Sequence, residues 1–319
     1  MKFYFLVLLV IPFILAASPA EALTVSPVKA ELSADPGQKV TGELTLLNEQ
    51  NETITFYSSF ENFEPQGESG TPNFVPGQEG LATWIKAASS ITLKPQEKEV
   101  IPFSIDVPAN AEPGGHFAAI FWSANPPATQ ATDQVAVGAK IGTLVLLKVS
   151  GDIKEGGAIL DFSSQDKKTW FTALPVTFVY RFQNGGGDRV KPLGAVTIKN
   201  VFGGTSAVIN ANPSEGNVLP ASTRKFTLEW VGNGKPVGDG TGFFAMAKAQ
   251  WDNFALGSYA AVLHLNYGGS NEAETSFHLF VFPWQLLSIV AAALLVILAI
   301  LVIGIRKYNS WIIKRATGR

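Results

Sequence analysis

Not one cysteine occurs in the 319 residues. This excludes a disulfide scaffold, a thiolate zinc site, an iron–sulfur cluster and a cysteine nucleophile. Histidine is nearly as scarce. His116, His264 and His278 are the full complement; each falls in a segment that reads as strand, and none stands in an H-x-x-x-H or H-E-x-x-H arrangement. A G-x-S-x-G elbow is missing, as is a glycine-rich phosphate loop leading into a helix, because Gly185–Gly187 separates two strand-like runs. Carboxylates such as Glu61, Glu64 and Glu68 are plentiful, but scattered acids read as a solvated face. The chain is therefore read as a non-enzyme, with no catalytic residue, no cofactor and no metal.

A basic surplus is also missing. Residues 23–285 carry 18 Lys and Arg against 25 Asp and Glu, a net charge of −7. A nucleic-acid binder needs a basic face to displace condensed counterions, so no nucleic-acid partner is expected.

Apolar side chains, by contrast, make up 46% of the chain, and the excess is local. Residues 1–22 have one lysine, an apolar run from Phe3 to Ala17 and the ending Ala20-Glu21-Ala22, the pattern of a cleaved signal peptide. Residues 286–305 contain no charge, and a helix of that length spans the ~30 Å hydrocarbon layer at ~1.5 Å per residue. A transmembrane helix is expected over 284–305. Trp284 precedes the run, and residues 306–319 hold five basic residues and no acidic one. Positive-inside logic makes that segment a basic cytoplasmic tail of a single-pass type I membrane protein, with residues 23–283 outside.

Between these segments the chain alternates at period two. Val40, Leu44 and Leu46 oppose Thr41, Glu43 and Thr45; Val176, Phe178, Tyr180 and Phe182 oppose Thr177, Arg181 and Gln183. Such runs are half-buried antiparallel strands, and dense Pro/Gly/Asn punctuation supplies their turns. No long helix is expected here. The order Val40–Asn48, Thr92–Gln96, Gly115–Phe121 recurs as Val176–Asn184, Val218–Ser222, Gly257–Leu263, including a glycine, an aromatic and two alanines in the third block. The fold class is all-β: two tandem immunoglobulin-like sandwiches, 23–150 and 151–282, followed by one C-terminal transmembrane helix.

Binding surface is sought among aromatics. Alternation puts Phe117, Ala119 and Phe121 on one face of a strand and His116, Ala118, Ile120 and Trp122 on the other. If the first face is core, His116 and Trp122 are exposed together and suited to stacking on a sugar or peptide. Trp84 closes a Pro/Gly-rich stretch, 65–80, long enough to fold over a sandwich end. In the opposing reading Trp84 plugs the core and Trp122 packs beneath a loop.

Residues 23–126 resemble the peptidoglycan-binding domain of the WxL-interacting proteins of Gram-positive cell surfaces. The landmarks are Val25-Ser-Pro-Val28, Asp35-Pro-Gly37, Leu47-Asn48, Phe60-Glu-Asn-Phe63, Trp84-Ile85, Ile91–Pro95 and Val107–Phe117. The resemblance implies a bacterial cell-surface protein whose first domain contacts peptidoglycan or another wall glycan. It also implies a WxL-domain surface protein or host ligand as partner of the second domain, and it adds Phe63 to the candidate ligand-binding residues His116, Trp122 and Trp84. An alternative from a different class is a chaperone-like accessory protein that captures strands of exported clients.

Overall fold

The computed structural model describes residues 23–126, 139–235, 240, 242–316 and 318; the expected leader at 1–22 lies outside the described residues. The chain divides into two compact units. Unit 1 holds residues up to Phe63, Val75–Glu112 and His116–Val149; unit 2 holds Glu64–Phe74, Pro113–Gly115 and Ser150–Arg319.

The sheets of the first unit are built from β1 (Leu23–Ser26), β2 (Lys29–Ala34), β3 (Lys39–Asn48), β4 (Ile54–Gln66), β5 (Thr71–Pro76), a single helical turn α1 (Leu81–Trp84), β6 (Ile85–Ala87), β7 (Ser90–Leu93), β8 (Lys98–Asp106), β9 (Gly114–Ser123) and β10 (Ile141–Val149), although the end of β4, residues 71–74 of β5 and the first two residues of β9 are grouped with the second unit. One sheet runs β1-β3-β8-β6; the other runs β2-β10-β9-β4-β5, with β7 also on β4. β2 and β10 pair in parallel, Leu144 level with Lys29 and Val149 with Ala34. The core lies between the sheets. Leu44 and Leu46 of β3 and Phe103 and Ile105 of β8 meet Ile120 and Trp122 of β9 and Val145 and Leu147 of β10.

The second unit continues with β11 (Gly157–Ser164), β12 (Trp170–Phe171), β13 (Val176–Asn184), β14 (Leu193–Asn200), β15 (Thr205–Asn210), β16 (Thr223–Trp230), α2 (Phe243–Asp252), β17 (Gly257–Tyr267), β18 (Asn271–Val281) and α3 (Trp284–Ala316). Its sheets are β11-β13-β16 and β12-β18-β17-β14-β15. Val176, Phe178, Tyr180 and Phe182 face inward, as their alternation requires, and pack against Val196, Ile198, Leu263 and Leu265. Both units are immunoglobulin-like β-sandwiches.

The internal repeat has a physical basis in its last residue. β3 ends at Asn48 and β13 at Asn184, both fully buried. Asn48 Oδ1 accepts the N–H of Gln50 at 3.1 Å, while its Nδ2 donates to Glu52 O and Leu93 O at 2.9 and 3.1 Å. Asn184 Oδ1 accepts the N–H of Gly186 at 2.8 Å, and its Nδ2 donates to Asp188 O and Val218 O at 2.8 and 2.9 Å. In each unit one amide closes a turn on its own strand and pins a distant segment to it. Each amide thereby adds hydrogen bonds to backbone groups of the turn and of the distant segment.

Two helical segments differ from the sequence expectation. α2 stands within a chain read wholly as strand; Ala245, Ala247 and Ala249 supply strong helix formers, and the buried side is confined to Ala247 and Gln250. α3 continues past Ile305 to Ala316: residues 306–316 contain no glycine or proline, and Tyr308 stacks on Trp311 while the Arg315 guanidinium lies 4.4 Å from the Trp311 ring. With a mean hydropathy of 3.3 over its apolar window, and almost none of that window buried, α3 is long and apolar enough to cross a membrane.

Candidate functional site

The four residues singled out from the sequence do not converge. Trp122 is 0% exposed and belongs to the core of the first unit with Ala118 and Ile120. The exposed-platform expectation is thus corrected for this residue. Alternation sorted β9 correctly into two faces, but the face carrying the indole is the inward one. Burying the larger ring removes more apolar area from water. Phe63 is also buried, with its ring centroid 5.8 Å from Phe117 on the other face of the sheet. Trp84 and His116 do meet. Their ring centroids lie 4.8 Å apart, both side chains are half-buried, and His116 Nε2 is 2.9 Å from the carbonyl of Glu112. α1 supplies Trp84, which packs its remaining surface on the core.

A groove in the second unit escaped sequence reading. It has a volume of ≈ 470 Å³ and lies on the sheet that carries β12, β14, β17 and β18. Trp170, 65% exposed, forms one wall with its ring 4.5 Å from Phe280; Asn200, Ser258 and His278 add polar groups. β12 is held by backbone bonds from Phe280 N to Thr169 O at 2.7 Å and from Phe282 N to Phe171 O at 2.8 Å. Asn200 is committed to its own turn, with Oδ1 accepting the N–H groups of Phe202 and Gly204, each at 3.0 Å. The groove is a concave aromatic surface with few free polar groups.

The sheet edges differ in how they are guarded. Charges, prolines and very short strands protect edges from pairing with other chains. Among the described edge strands of six or more residues, β2 carries Lys29 and Glu31, β5 carries Pro72 and Pro76, β11 carries Asp161, and β16 carries Arg224, Lys225 and Glu229. β15, Thr-Ser-Ala-Val-Ile-Asn, has neither charge nor proline. It ends its sheet beside β14, regular from Ala207 to Asn210 and bulged next to Ser206, and Val208 is 65% exposed.

Charge is paired rather than pooled. Asp106 lies against Lys86 and 3.4 Å from Lys39, and the hydrogen bond from Lys86 holds its carboxyl below the usual aspartate range. Inside the second unit, burial raises the Tyr180 phenol above the usual tyrosine value, and its hydroxyl donates to Ala211 O at 2.9 Å. No group of three or more His, Asp or Glu able to hold a metal occurs among the described residues.

No family model matches the chain, and no curated protein matches it either. Several solved structures are similar to it at low identity. The class 5 fimbriae chaperone CfaA is 11% identical with a TM-score of 0.39, covering 82% of this chain and all of its own. A Salmonella enterica SafA pilin complex with the SafB chaperone gives 12% identity, a TM-score of 0.36, and 83% and 98% coverage. The PapD-like domain 7 of human CEP192 gives 13% identity, a TM-score of 0.29, and 47% and 99% coverage.

Proposed function

We propose that the protein is a membrane-anchored accessory protein, type I in orientation, that captures extended segments of other exported polypeptides along β15. The observation that carries this reading is the unguarded edge: six residues without charge or proline, ending a sheet, with Val208 outward. Strand addition draws its affinity from backbone hydrogen bonds and its selectivity from alternate side chains. Four regular residues offer about four outward backbone bonds, each worth about 1 kcal/mol net, and cover of Val208 adds about 1–2 kcal/mol. Set against an association cost of at least about 4 kcal/mol, these gains leave about 1–2 kcal/mol, so a free peptide is captured only weakly. Transient holding suits a protein that passes clients on.

A direct test is hydrogen exchange of the full chain in nanodiscs with a peptide of alternating Thr and Val, raised in concentration until any protection is saturated. Exchange should slow in residues 205–210 and not at the proline-guarded edge β5. A Val208→Lys variant should lose the protection, since an edge lysine opposes pairing. Unchanged exchange in 205–210 at saturating peptide would refute the reading.

A second reading, wall-glycan binding through the first unit, is favoured by the half-exposed Trp84 ring against His116 together with the sequence landmarks shared with WxL-interacting proteins. In that reading Trp84 stacks on a sugar and His116 orients it. Retention of the full chain on insoluble peptidoglycan, lost in Trp84→Ala and kept in Val208→Lys, distinguishes it from strand capture.

A further inference from the structure

Antiparallel register fixes which loops of the second unit share an end. Asn200 is level with Tyr259, Gly257 with Val281, and Val176 with Trp230. The connections after Ser164, Asn200 and Trp230 therefore lie at the end where β18 passes into α3, and those after Asn184, Asn210 and Tyr267 lie at the opposite end. Trp170, Phe202, Phe244, Trp251, Phe254 and Phe282 are all exposed at the α3 end, Phe202 by 94%. Residues 185–192, 211–222 and 268–270, at the far end, contain no Phe, Trp or Tyr. Among the described residues, every exposed Phe or Trp of this unit outside α3 sits at the end that α3 leaves.

α2 is locked to the first turn of α3. Gln250, nearly inaccessible, donates to Gln285 Oε1 and, at 2.9 Å, to Thr172 O, and its own Oε1 accepts the N–H of Leu286 at 2.9 Å. The ring of Phe243 lies 5.7 Å from that of Trp284. Phe244 and Trp251, seven residues apart, share the outward side of α2 with Lys248. A short helix with bulky aromatics and a lysine outward, fixed where an apolar span begins, has the composition of a membrane-interface element.

We propose that this end of the second unit rests in the headgroup layer of the bilayer that α3 enters, with α2 lying along the interface and Phe202, Phe244 and Trp251 inserted among the lipids. The inference rests on α3 spanning the membrane and goes beyond strand capture. It selects lipid as the occupant because the aromatic end and the start of the apolar helix coincide. One consequence follows for β15: its six residues, at ~3.3 Å each, begin at this end and stay within about 20 Å of the headgroups. A client would be met at the membrane surface.

The absence of native cysteine makes the test direct. Full chains carrying Phe244→Cys, Phe202→Cys, Ser270→Cys or Leu295→Cys are labelled with an environment-sensitive fluorophore in nanodiscs of phosphatidylcholine and phosphatidylglycerol, and are quenched with spin-labelled lipids. Labels at 244 and 202 are expected to be quenched by headgroup-proximal spin labels at least about threefold more than the label at 270, and the label at 295 by spin labels deep in the acyl chains. If 244 and 202 match 270 while 295 is quenched, the interface proposal is wrong and α3 still spans. If 295 is also unquenched, the membrane reading beneath it falls as well. A blue shift at 244 without lipid quenching identifies a protein neighbour and overturns the lipid assignment.

Discussion

Replacing Asn184 by alanine removes three side-chain hydrogen bonds at once: donation to Asp188 O and Val218 O, and acceptance from Gly186 N. Val218 O keeps a second partner, the N–H of Val190 at 2.9 Å, so its loss is the mildest of the three. At about 1 kcal/mol net per bond the expected cost is about 3 kcal/mol, a large part of the stability of a single domain. Asn184→Asp separates hydrogen bonding from shape. It fills the same space but turns a carboxylate oxygen toward the two carbonyls the amide had served, so it should cost more than alanine does. Native-state hydrogen exchange of the full chain in nanodiscs reads both variants, with β13 as reporter and β3 as internal reference. Protection in β13 should fall by about 3 kcal/mol in the alanine variant and further in the aspartate variant, with β3 unchanged. Asn48→Ala should give the mirror-image result. An aspartate variant as stable as wild type, or an alanine cost below about 1 kcal/mol, would refute the idea that the repeated asparagine is a fastening of the fold.

The Tyr180 phenol predicts a pH effect. Because its folded value is raised by burial, the unfolded chain loses that proton first. Stability is therefore unaffected below about pH 10 and falls above it by up to about 1.4 kcal/mol per pH unit. Tyr180→Phe should forfeit about 1 kcal/mol for the lost bond to Ala211 O and flatten the alkaline slope; identical slopes in urea titrations over about one pH unit either side of the ordinary tyrosine value contradict the assignment. Trp122→Ala should cost about 3–5 kcal/mol, as a core truncation does, and lower the melting temperature. A fully stable Trp122→Ala chain would return this residue to the surface.

The alternation in β3, β9 and β13 exposed two faces per strand, and the Asn48/Asn184 repeat exposed two units, because period and spacing are local properties of the chain. Which face of β9 turns inward is not local. It depends on β10, β8 and β3 closing over Trp122, so the sequence pattern paired His116 with the wrong neighbour. α2 was hidden for a related reason: ten residues hold too few turns for a convincing 3.6 period. The alanines at 245, 247 and 249 were the available signal. The groove beside Trp170 joins four separate strands, and nothing short of topology brings them together. The unguarded edge is intermediate. Its lack of charge is written in Thr205–Asn210, but that it ends a sheet is a fact of pairing.

Strand capture along β15 is tested most directly by disulfide trapping. Val208→Cys introduces the chain's sole thiol, and a set of alternating Thr/Val peptides carries one cysteine moved stepwise along its length. Directly opposed side chains in paired strands have Cβ atoms about 4.5–5.5 Å apart, and side chains one residue along point to the other face. The account predicts trapping yields that rise and fall with a period of two residues, and that collapse when Ser206→Pro is added beside the bulge. Yields that are flat along the peptide, or no higher than for a control cysteine at Ser270, would contradict it.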